Sequence, residues 1–390
     1  MSTTPIEAGD TGTAARPLYG RLGGLSWLHF LNDGAANYLP GVLPAVLINL
    51  HLRPSLAGTV MAALLIGQAF QALTGWFADH IGGRLFIVAG VLGSSIAGAL
   101  IGFSDTLWML IPVLIVIGLT NALFHPQALA GARTLSRGRV GLGMSLFLVG
   151  GEVGRGLWPL FASLVVSAWG LHYLWLLALP ALVSVALLWP SLPVQPKRHP
   201  DAAPIAWRRH LGPASALVAF SSLRALMIFG VVTYLPVLWH QRGHSLVESS
   251  ALITVLLVVG VVGNVAGGHL SDVFGRKRVI FVAIVLSTIF MALFMSLGGG
   301  ALQWLLLGLL GISLFATLPI SMLIGQDIFR ENRSLGSGIA LGLSNGLGAA
   351  ALILLDVVAT DFGLVTVLWA LVGVGMAASL ISLVLPRHHH

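Results

Sequence analysis

Gly75-Trp-Phe-Ala-Asp79-His-Ile-Gly82-Gly83-Arg84 has a close counterpart later in the chain, the stretch Gly268-His-Leu-Ser-Asp272-Val-Phe-Gly275-Arg276-Lys277. The two aspartates lie 193 residues apart, about half of the 390-residue chain. Each stretch is a short polar segment between two long apolar ones. A Gly-x-x-x-Asp-x-x-Gly element that recurs once in the same context indicates two homologous halves, packed as pseudo-symmetric helical bundles. This is the architecture of a membrane carrier.

The composition also indicates a membrane protein. Apolar residues make up 57% of the chain, charged residues make up 8%, and the mean hydropathy is +0.95. A soluble protein of this length could not cover its surface with so few charges. The chain has no cysteine, which excludes disulfides and thiolate metal sites. The net charge of +7 comes from basic residues scattered between apolar stretches, so we interpret them as determinants of topology and not as a nucleic-acid surface.

A membrane-crossing helix needs about 20 apolar residues, and on this basis the sequence predicts an all-α protein with twelve transmembrane helices. Helices 1 to 6 are predicted at 22–50, 55–78, 84–103, 106–129, 140–168 and 171–190. Helices 7 to 12 are predicted at 213–239, 246–270, 278–297, 301–326, 334–358 and 363–385.

This division predicts five regions of the chain. Two six-helix bundles are expected at 21–190 and 213–386, joined by a cytoplasmic linker at 191–212. Residues 1–20 are polar and lack an apolar core, so they are expected to be a disordered cytoplasmic tail and not a signal peptide. Residues 387–390 are expected to be a short tail in which three histidines resemble the remnant of a purification tag.

The distribution of Lys and Arg predicts the orientation. With the N-terminus inside, sixteen of the 20 basic residues fall on the cytoplasmic side, and only Arg53 and Arg242 fall outside. The positive-inside rule therefore places both termini in the cytoplasm, and we expect a multi-pass protein of an inner or plasma membrane. The remaining two basic residues, Arg155 and Arg224, fall within predicted helices.

Ionisable residues within predicted helices are candidates for function, because an ionisable group in a bilayer is costly unless it faces water or a partner. The candidates are His29 and Asp33 on helix 1, His125 on helix 4, Glu152 and Arg155 on helix 5, and Arg224 on helix 7. Asp356 on helix 11 is expected to lie close enough to the outer surface to be hydrated.

His29 and Asp33 are four residues apart and share one face of their helix. An imidazole beside a carboxylate can hold or pass a proton in the physiological pH range, so Asp33, His29, His125 and Glu152 are our candidates for proton coupling. The alternative for Asp33 is that it only braces helices within its bundle. Metal binding is not expected, since two histidines alone make too small a ligand set.

Glu152 and Arg155 are three residues apart and can pair along their helix, either as a structural neutralisation or as a pair that opens for an anionic substrate. Arg224 has no acidic neighbour on its own helix, and a guanidinium stays protonated. We therefore expect Arg224 to contact an anionic substrate, with a structural pair to Asp33 or Glu152 as the alternative. Arg155, Asn32, Gln127 and Tyr234 are the further candidates for substrate binding.

The repeated loop element predicts a cytoplasmic gate. Its residues are Gly75, Asp79, Gly82 and Arg84 in the first half and Gly268, Asp272, Gly275 and Arg276 in the second. Each aspartate ends a helix, where it can accept hydrogen bonds from a neighbouring helix N-terminus and pair with a local arginine. Such contacts would hold the cytoplasmic side closed when the carrier faces outward.

The repeated element resembles the cytoplasmic loop signature of the major facilitator superfamily, in the loops after helices 2 and 8. Within that superfamily, four short patches resemble the fosmidomycin resistance protein family of bacterial drug exporters: Leu28 to Asp33, Leu123 to Gln127, Gly150 to Gly154, and Gln326-Asp327. The repeated loop elements and the polar residues on helices 1, 4 and 7 predict two six-helix bundles around a central cavity lined by helices 1, 4, 7 and 10, and the resemblance implies a bacterial inner membrane. The sequence departs from the family at Gln127, where Glu is usual, and at Glu152 and Arg155, where uncharged polar residues are usual.

These observations predict a proton-coupled exporter, an antiporter of a small anionic or zwitterionic compound such as a drug or metabolite. Proton-coupled uptake of an organic anion is the alternative, and a membrane sensor without transport is a third. No predicted helix carries a paired nucleophile and base, and no phosphate-binding loop is present, so an enzyme is not expected. The expected partners are the substrate, protons and membrane lipid, acting on a monomer without a cofactor or nucleic acid.

Overall fold

The computed structural model describes residues 18–81, 83–194, 207–297, 299–330 and 333–386. These residues are predominantly helical and form no β-sheet. The helices of the first half are α1 (Tyr19–Asn37 and Leu39–Asn49), α2 (Ala57–Ala69 and Gln71–Ile81), α3 (Leu85–Leu100), α4 (Leu107–Ser136), α5 (Val140–Trp169) and α6 (Leu179–Leu188, after the 3₁₀ segment Leu171–Ala178).

The helices of the second half follow the same order. They are α7 (Trp207–Gln241), α8 (Leu246–Thr254 and Gly260–Phe274, joined by the π-helical Val255–Val259), α9 (Arg276–Ser296), α10 (Ala301–Ile328), and α11 and α12. α11 begins with Arg333–Gly338 and the π-helical Ile339–Leu343. The long helix Ser344–Ser382 then changes direction at Gly363, which ends α11 and begins α12.

Nine helical stretches among the described residues are long and apolar enough to cross a membrane. One of them, Leu335–Ser382, has 48 residues. At 1.5 Å per residue it is about 70 Å long, roughly twice the hydrocarbon thickness of a bilayer. It is divided at Gly363, whose φ of +81° suits glycine and not a residue with a side chain. With this division, and with α1 and α5 added, the predicted twelve crossings are accounted for.

The twelve helices form two six-helix bundles. In the first bundle α1 packs against α3, α4 and α5, and in the second α7 packs against α10, α11 and α12. Close packing in the second bundle depends on Gly348, because a side chain there would collide with Ala225 and with the backbone of Leu226 on α7. α7 begins at Trp207, six residues before the predicted start, so the last part of the predicted linker, 207–212, is helical. Residues 195–206 of the predicted linker, the predicted N-terminal tail apart from 18–20 and the whole predicted C-terminal tail at 387–390 lie outside the described residues.

The two bundles meet mainly on the side away from the chain termini. There α2 packs against α11, the second segment of α1 against α7 and α8, and α5 against α8. The segments nearer the termini, Gln71–Ile81 of α2 and Gly260–Phe274 of α8, pack chiefly within their own bundles. The π-helical segment of α8 lies at this junction, against α5, whereas that of α11 packs chiefly within its own bundle. The structure is therefore closed between the bundles on the side away from the termini.

Candidate functional site

Asp33 is buried in the middle of the first bundle. It lies near the end of the first segment of α1, before the helix is interrupted at Tyr38, and its side chain is only 3% exposed. His29 lies one turn earlier on the same face, with its Nε2 3.4 Å from Asp33 Oδ2. The pairing expected from the spacing of these two residues is therefore present.

Side chains from two other helices converge on the same carboxylate. From α4, Nε2 of His125 lies 3.3 Å from Asp33 Oδ1. From α5, Nη2 of Arg155 lies 3.2 Å from Asp33 Oδ2. The amides of Asn32 and Asn121 donate to Oδ1 at 3.1 Å and 3.0 Å. Asn121 was not predicted as a site residue, although an amide one turn before His125 in an apolar helix was a usable signal.

The two imidazoles are held in fixed orientations. Nδ1 of His29 lies 2.8 Å from the carbonyl oxygen of Phe147, and its ring stacks on the Phe147 ring with centroids 4.2 Å apart. Gly151 leaves the space for this ring, because any side chain at Gly151 would collide with the imidazole. Nδ1 of His125 lies 2.9 Å from the carbonyl oxygen of Asn121. In both histidines Nε2 therefore points to Asp33.

Arg155 connects this buried cluster to more open space. Its Nη1 lies 3.7 Å from Oε2 of Glu152, as the spacing predicted, so its guanidinium is shared between two carboxylates. The side chain is 32% exposed, against 19% for Glu152. The backbone of the next residue, Gly156, lies against Val258 of α8 in the other bundle. Arg155 is therefore a cation at the junction of the two bundles.

His29, Asp33 and His125 offer ligand atoms within 4.8 Å of one another, close enough to hold one metal ion. The Asp33 oxygens already accept hydrogen bonds from two amides and from the Arg155 guanidinium. A cation bound there would have to displace these donors and lie beside a positive charge. The arrangement therefore fits a hydrogen-bonded ionisable cluster better than a metal site.

Arg224 occupies a separate place in the second bundle. It is 1% exposed, and its Nη2 donates to Oδ1 of Asn345 on α11 at 3.2 Å. Among the described residues Arg224 forms no ion pair, and its Nε has no hydrogen-bond partner. The alternative pairing with Asp33 or Glu152 is not formed. In this conformation the Arg224 guanidinium is therefore buried away from solvent and forms no ion pair among the described residues.

The other three candidates for substrate contact are also buried. Asn32 donates to Asp33 and accepts from Ser94 at 3.1 Å, so it orients the carboxylate. Gln127 is buried on α4. The Tyr234 hydroxyl contacts the Leu352 carbonyl and Asp356, both at 2.9 Å, at the junction of the bundles. Of the substrate candidates, only Arg155 is substantially exposed.

The repeated loop element places a glycine with positive φ at each of its two turns. Gly275 joins α8 to α9 with a φ of +87°, and Gly83 has a φ of +85° at the matching turn. Arg84 donates to the Trp189 carbonyl at 2.9 Å and stacks over the Trp189 ring. Arg276 forms an ion pair with Asp327, the residue next to the end of α10.

Of the two aspartates in the element, the structure describes the side chain of Asp272. Asp272 is exposed, and its predicted bond to a helix N-terminus is not among those of the described residues. The backbone of Asp79 lies near the end of α2, Gly75 and Gly268 lie within α2 and α8, and Gly82 lies outside the described residues.

Comparison with known proteins identifies relatives over most of the chain. The family model of the Major Facilitator Superfamily matches residues 25–352. The fosmidomycin resistance protein of Escherichia coli (strain K12) is 24% identical in an alignment of 401 positions, which covers 97% of this chain and 95% of that protein. The uncharacterized MFS-type transporter YfnC of Bacillus subtilis (strain 168) is 23% identical over 86% of this chain and 85% of its own length.

The fold also matches solved structures. One is a bacterial homolog of the human lysosomal transporter Spinster, in an inward-facing and occupied conformation. The TM-score is 0.80 at 14% identity, with 94% of this chain and 96% of that chain covered. This similarity concerns the arrangement of the helices.

Proposed function

This chain belongs to the Major Facilitator Superfamily, and from that membership we propose that it is a proton-coupled exporter of a small anionic or zwitterionic compound, working by alternating access. Transport by a multi-pass membrane protein, without enzymatic chemistry, follows from the family. Proton coupling, the class of substrate and the direction of transport are the proposal.

The observation that carries the proposal is the contact of Asp33 with His29, His125 and Arg155. Charged groups this deep in a membrane protein are costly and are typical of proton relays. Arg155 reaches from this cluster to the junction between the bundles, where a substrate would bind. Protonation of the cluster would therefore change the charge beside Arg155, a group that can hold a substrate.

Arg155 and Glu152 support the class of substrate. A guanidinium can hold a carboxylate or phosphonate through two parallel charge-assisted hydrogen bonds. Glu152 Oε2 has no hydrogen-bond partner among the described residues, although Arg155 is 3.7 Å away. That free acceptor beside a cation suits the ammonium group of a zwitterion.

The direction of coupling depends on which substrate group competes with the proton. An ammonium group at Glu152 and a proton on the cluster are both positive and weaken each other's binding, which gives exchange and hence export. A plain anion at Arg155 has the opposite effect, because a proton on the cluster releases Arg155 from Asp33 and strengthens the anion's binding. The shared position of Arg155 thus favours proton-coupled uptake as the second candidate, if the substrate lacks a cationic group.

Export is proposed first because the chain is similar to a fosmidomycin resistance protein over nearly its full length. In the proposed orientation both termini are cytoplasmic, which follows from the Lys and Arg distribution. The bundles then meet on the outer side, so the structure faces inward. Arg224 would join the binding site in another conformation, since its guanidinium lacks an acidic partner among the described residues.

The test begins with a thermal-stabilisation screen of fosmidomycin and related phosphonates, carboxylates and amino acids on the purified protein. Ligands that stabilise the protein are then followed in proteoliposomes under an imposed pH gradient. Export by exchange predicts accumulation when the lumen is acidic, and uptake with protons predicts accumulation when the outside is acidic. Substrate exchange by counterflow, without accumulation under either pH gradient, would contradict proton coupling.

A further inference from the structure

We propose that the coupled proton is carried by the imidazoles of His29 and His125, while Asp33 remains ionised as their fixed counter-charge. The inference rests on the proposed proton coupling and assigns it to particular atoms. Carboxylates commonly carry the proton in membrane-embedded relays, but the geometry of this cluster favours the two rings.

The Nδ1 atoms of the two histidines both face backbone carbonyl oxygens. Nδ1 of His29 faces the Phe147 carbonyl and Nδ1 of His125 faces the Asn121 carbonyl. A carbonyl oxygen only accepts hydrogen bonds, so each Nδ1 must carry a proton. In a neutral imidazole the other nitrogen, Nε2, is then a bare acceptor.

The Nε2 atoms of the two histidines both face Asp33. They lie 3.4 Å and 3.3 Å from the Asp33 carboxylate, which is itself an acceptor. Two bare acceptors at this distance repel each other, whereas a proton on Nε2 turns the contact into a charge-assisted hydrogen bond. Both histidines are therefore arranged to bind a proton at the nitrogen that faces Asp33.

Asp33 is a poor site for the proton, because both of its oxygens already accept hydrogen bonds. Oδ1 accepts from Asn32 and Asn121, and Oδ2 accepts from Arg155. The amide of Asn32 is fixed in this orientation because its oxygen accepts from Ser94. These donors stabilise the ionised carboxylate, and a proton on Asp33 would have to compete with them.

A count of charges gives the number of protons. The charged groups that face one another from α1, α4 and α5 are Asp33, Glu152 and Arg155, together with the two imidazoles. Two carboxylates and one guanidinium leave one negative charge, so a single proton shared by the two rings makes the cluster neutral. A second proton would leave a net positive charge, which is costly inside the bilayer. The cluster therefore binds one proton per cycle.

The two histidines have different access to solvent. The side chain of His125 is 15% exposed and that of His29 is 4% exposed. Their rings meet edge to face with centroids 5.3 Å apart. We assign proton entry and release to His125 and the more secluded position to His29.

Infrared difference spectroscopy between acidic and neutral samples tests where the proton binds without requiring a substrate. The protein is first washed with a chelator, and the wild type is compared with His29→Gln, His125→Gln, the double variant His29→Gln/His125→Gln and Asp33→Asn. The other eleven of the 13 histidines contribute equally to every sample, so the signal is the difference between the wild type and each variant. We expect pH-dependent imidazole bands in this difference, smaller for each single variant than for the double variant. A protonated-carboxyl band that disappears in Asp33→Asn would overturn the assignment.

Flux measurements test the same assignment in function, with the stabilising ligand from the screen as the probe. Glutamine places an amide N–H near the position of Nε2 but cannot titrate. In His29→Gln/His125→Gln we expect gradient-driven accumulation to fall to the level without a gradient, while counterflow continues. Each single variant should keep part of the driven flux, and His172→Gln, at an exposed histidine of the same bundle, should keep all of it.

The outcomes separate the two levels of the proposal. Full driven flux in the folded double variant would overturn the histidine assignment and leave proton coupling intact. If substrate flux through the wild-type protein does not respond to a pH gradient, the proposed function is contradicted. The infrared titration would still show which group binds the proton. If the double variant does not fold, the two single variants and their infrared spectra decide the question.

Discussion

Asp356 on α11 accepts two hydrogen bonds from Thr59 in the first turn of α2, one from the backbone N–H and one from the hydroxyl, both at 2.6 Å. Its other oxygen accepts from the Gly58 N–H at 2.8 Å and from Tyr234 at 2.9 Å. A carboxylate at a helix N-terminus satisfies donors that the helix itself leaves free. Because α2 and α11 belong to different bundles, this contact holds the bundles together on the side away from the termini.

Gly58 is part of the same contact, because a side chain there would collide with Asp356 and Tyr234. Asp356 is 6% exposed, so the expectation that it would be hydrated is wrong. The depth of the residue along its own helix was compatible with water, but α2 from the other bundle covers it.

The first prediction is that Asp356→Asn destabilises the closed junction. The amide keeps one acceptor oxygen and turns an N–H toward donors, which removes charge-assisted bonds of about 1.5–3 kcal/mol each. The ratio of closed to open molecules should fall about tenfold or more. Spin labels at Arg53→Cys and Asp361→Cys measure the separation of the bundles, and the chain has no native cysteine to interfere.

The matched comparison for this prediction is Glu248→Gln in the labelled protein. Glu248 is an exposed carboxylate at the start of α8 that caps its own helix and contacts neither α2 nor α11 among the described residues. Its spin-label distances should match those of the parent. Identical distance distributions in Asp356→Asn and the parent would show that the contact does not control closure.

The second prediction is that Asp33→Asn abolishes gradient-driven transport and leaves exchange partly intact. The amide cannot supply the fixed negative charge that the imidazoles and Arg155 face, but the binding space at Arg155 remains. Driven flux and counterflow are measured on the same proteoliposomes. Driven flux equal to that of the wild type would show that coupling does not need the negative charge of Asp33, and would leave Glu152 as the remaining carboxylate candidate.

The third prediction is that Arg155→Lys weakens substrate binding by about 1–3 kcal/mol, since lysine cannot offer two parallel hydrogen bonds to an anion. Arg155 is the exposed cation of the site, so the loss should appear in affinity measured by calorimetry. Arg53→Lys, on the outer loop between α1 and α2, is the control. Unchanged affinity in Arg155→Lys would remove Arg155 from the binding site.

The fourth prediction concerns Arg224→Lys, which we expect to weaken binding on the same scale, about 1–3 kcal/mol, if Arg224 reaches the substrate in another conformation. Affinity and thermal stability are measured on the same purified variant. Normal affinity with reduced stability would instead assign Arg224 to the packing of α7 against Asn345.

Parts of the site were predictable because they lie within one helix. The spacing of four residues between His29 and Asp33, and of three between Glu152 and Arg155, fixes which side chains share a face. Both pairs are present. The partners contributed by other helices were not predictable, because nothing in the sequence states which face of α4 or α5 turns toward α1.

The sequence by itself determined the membrane setting, the twelve helices and their duplication, because apolar length and a repeated loop element depend only on local residue order. The tertiary structure decided that Asp33 is the common partner of two imidazoles and Arg155, that Arg224 pairs with Asn345, and that Asp356 caps α2. Apart from the His29–Asp33 pair within α1, each of these contacts joins residues about 90 to 300 positions apart. They depend on how the helices are rotated and paired, which the helices acquire only by packing together.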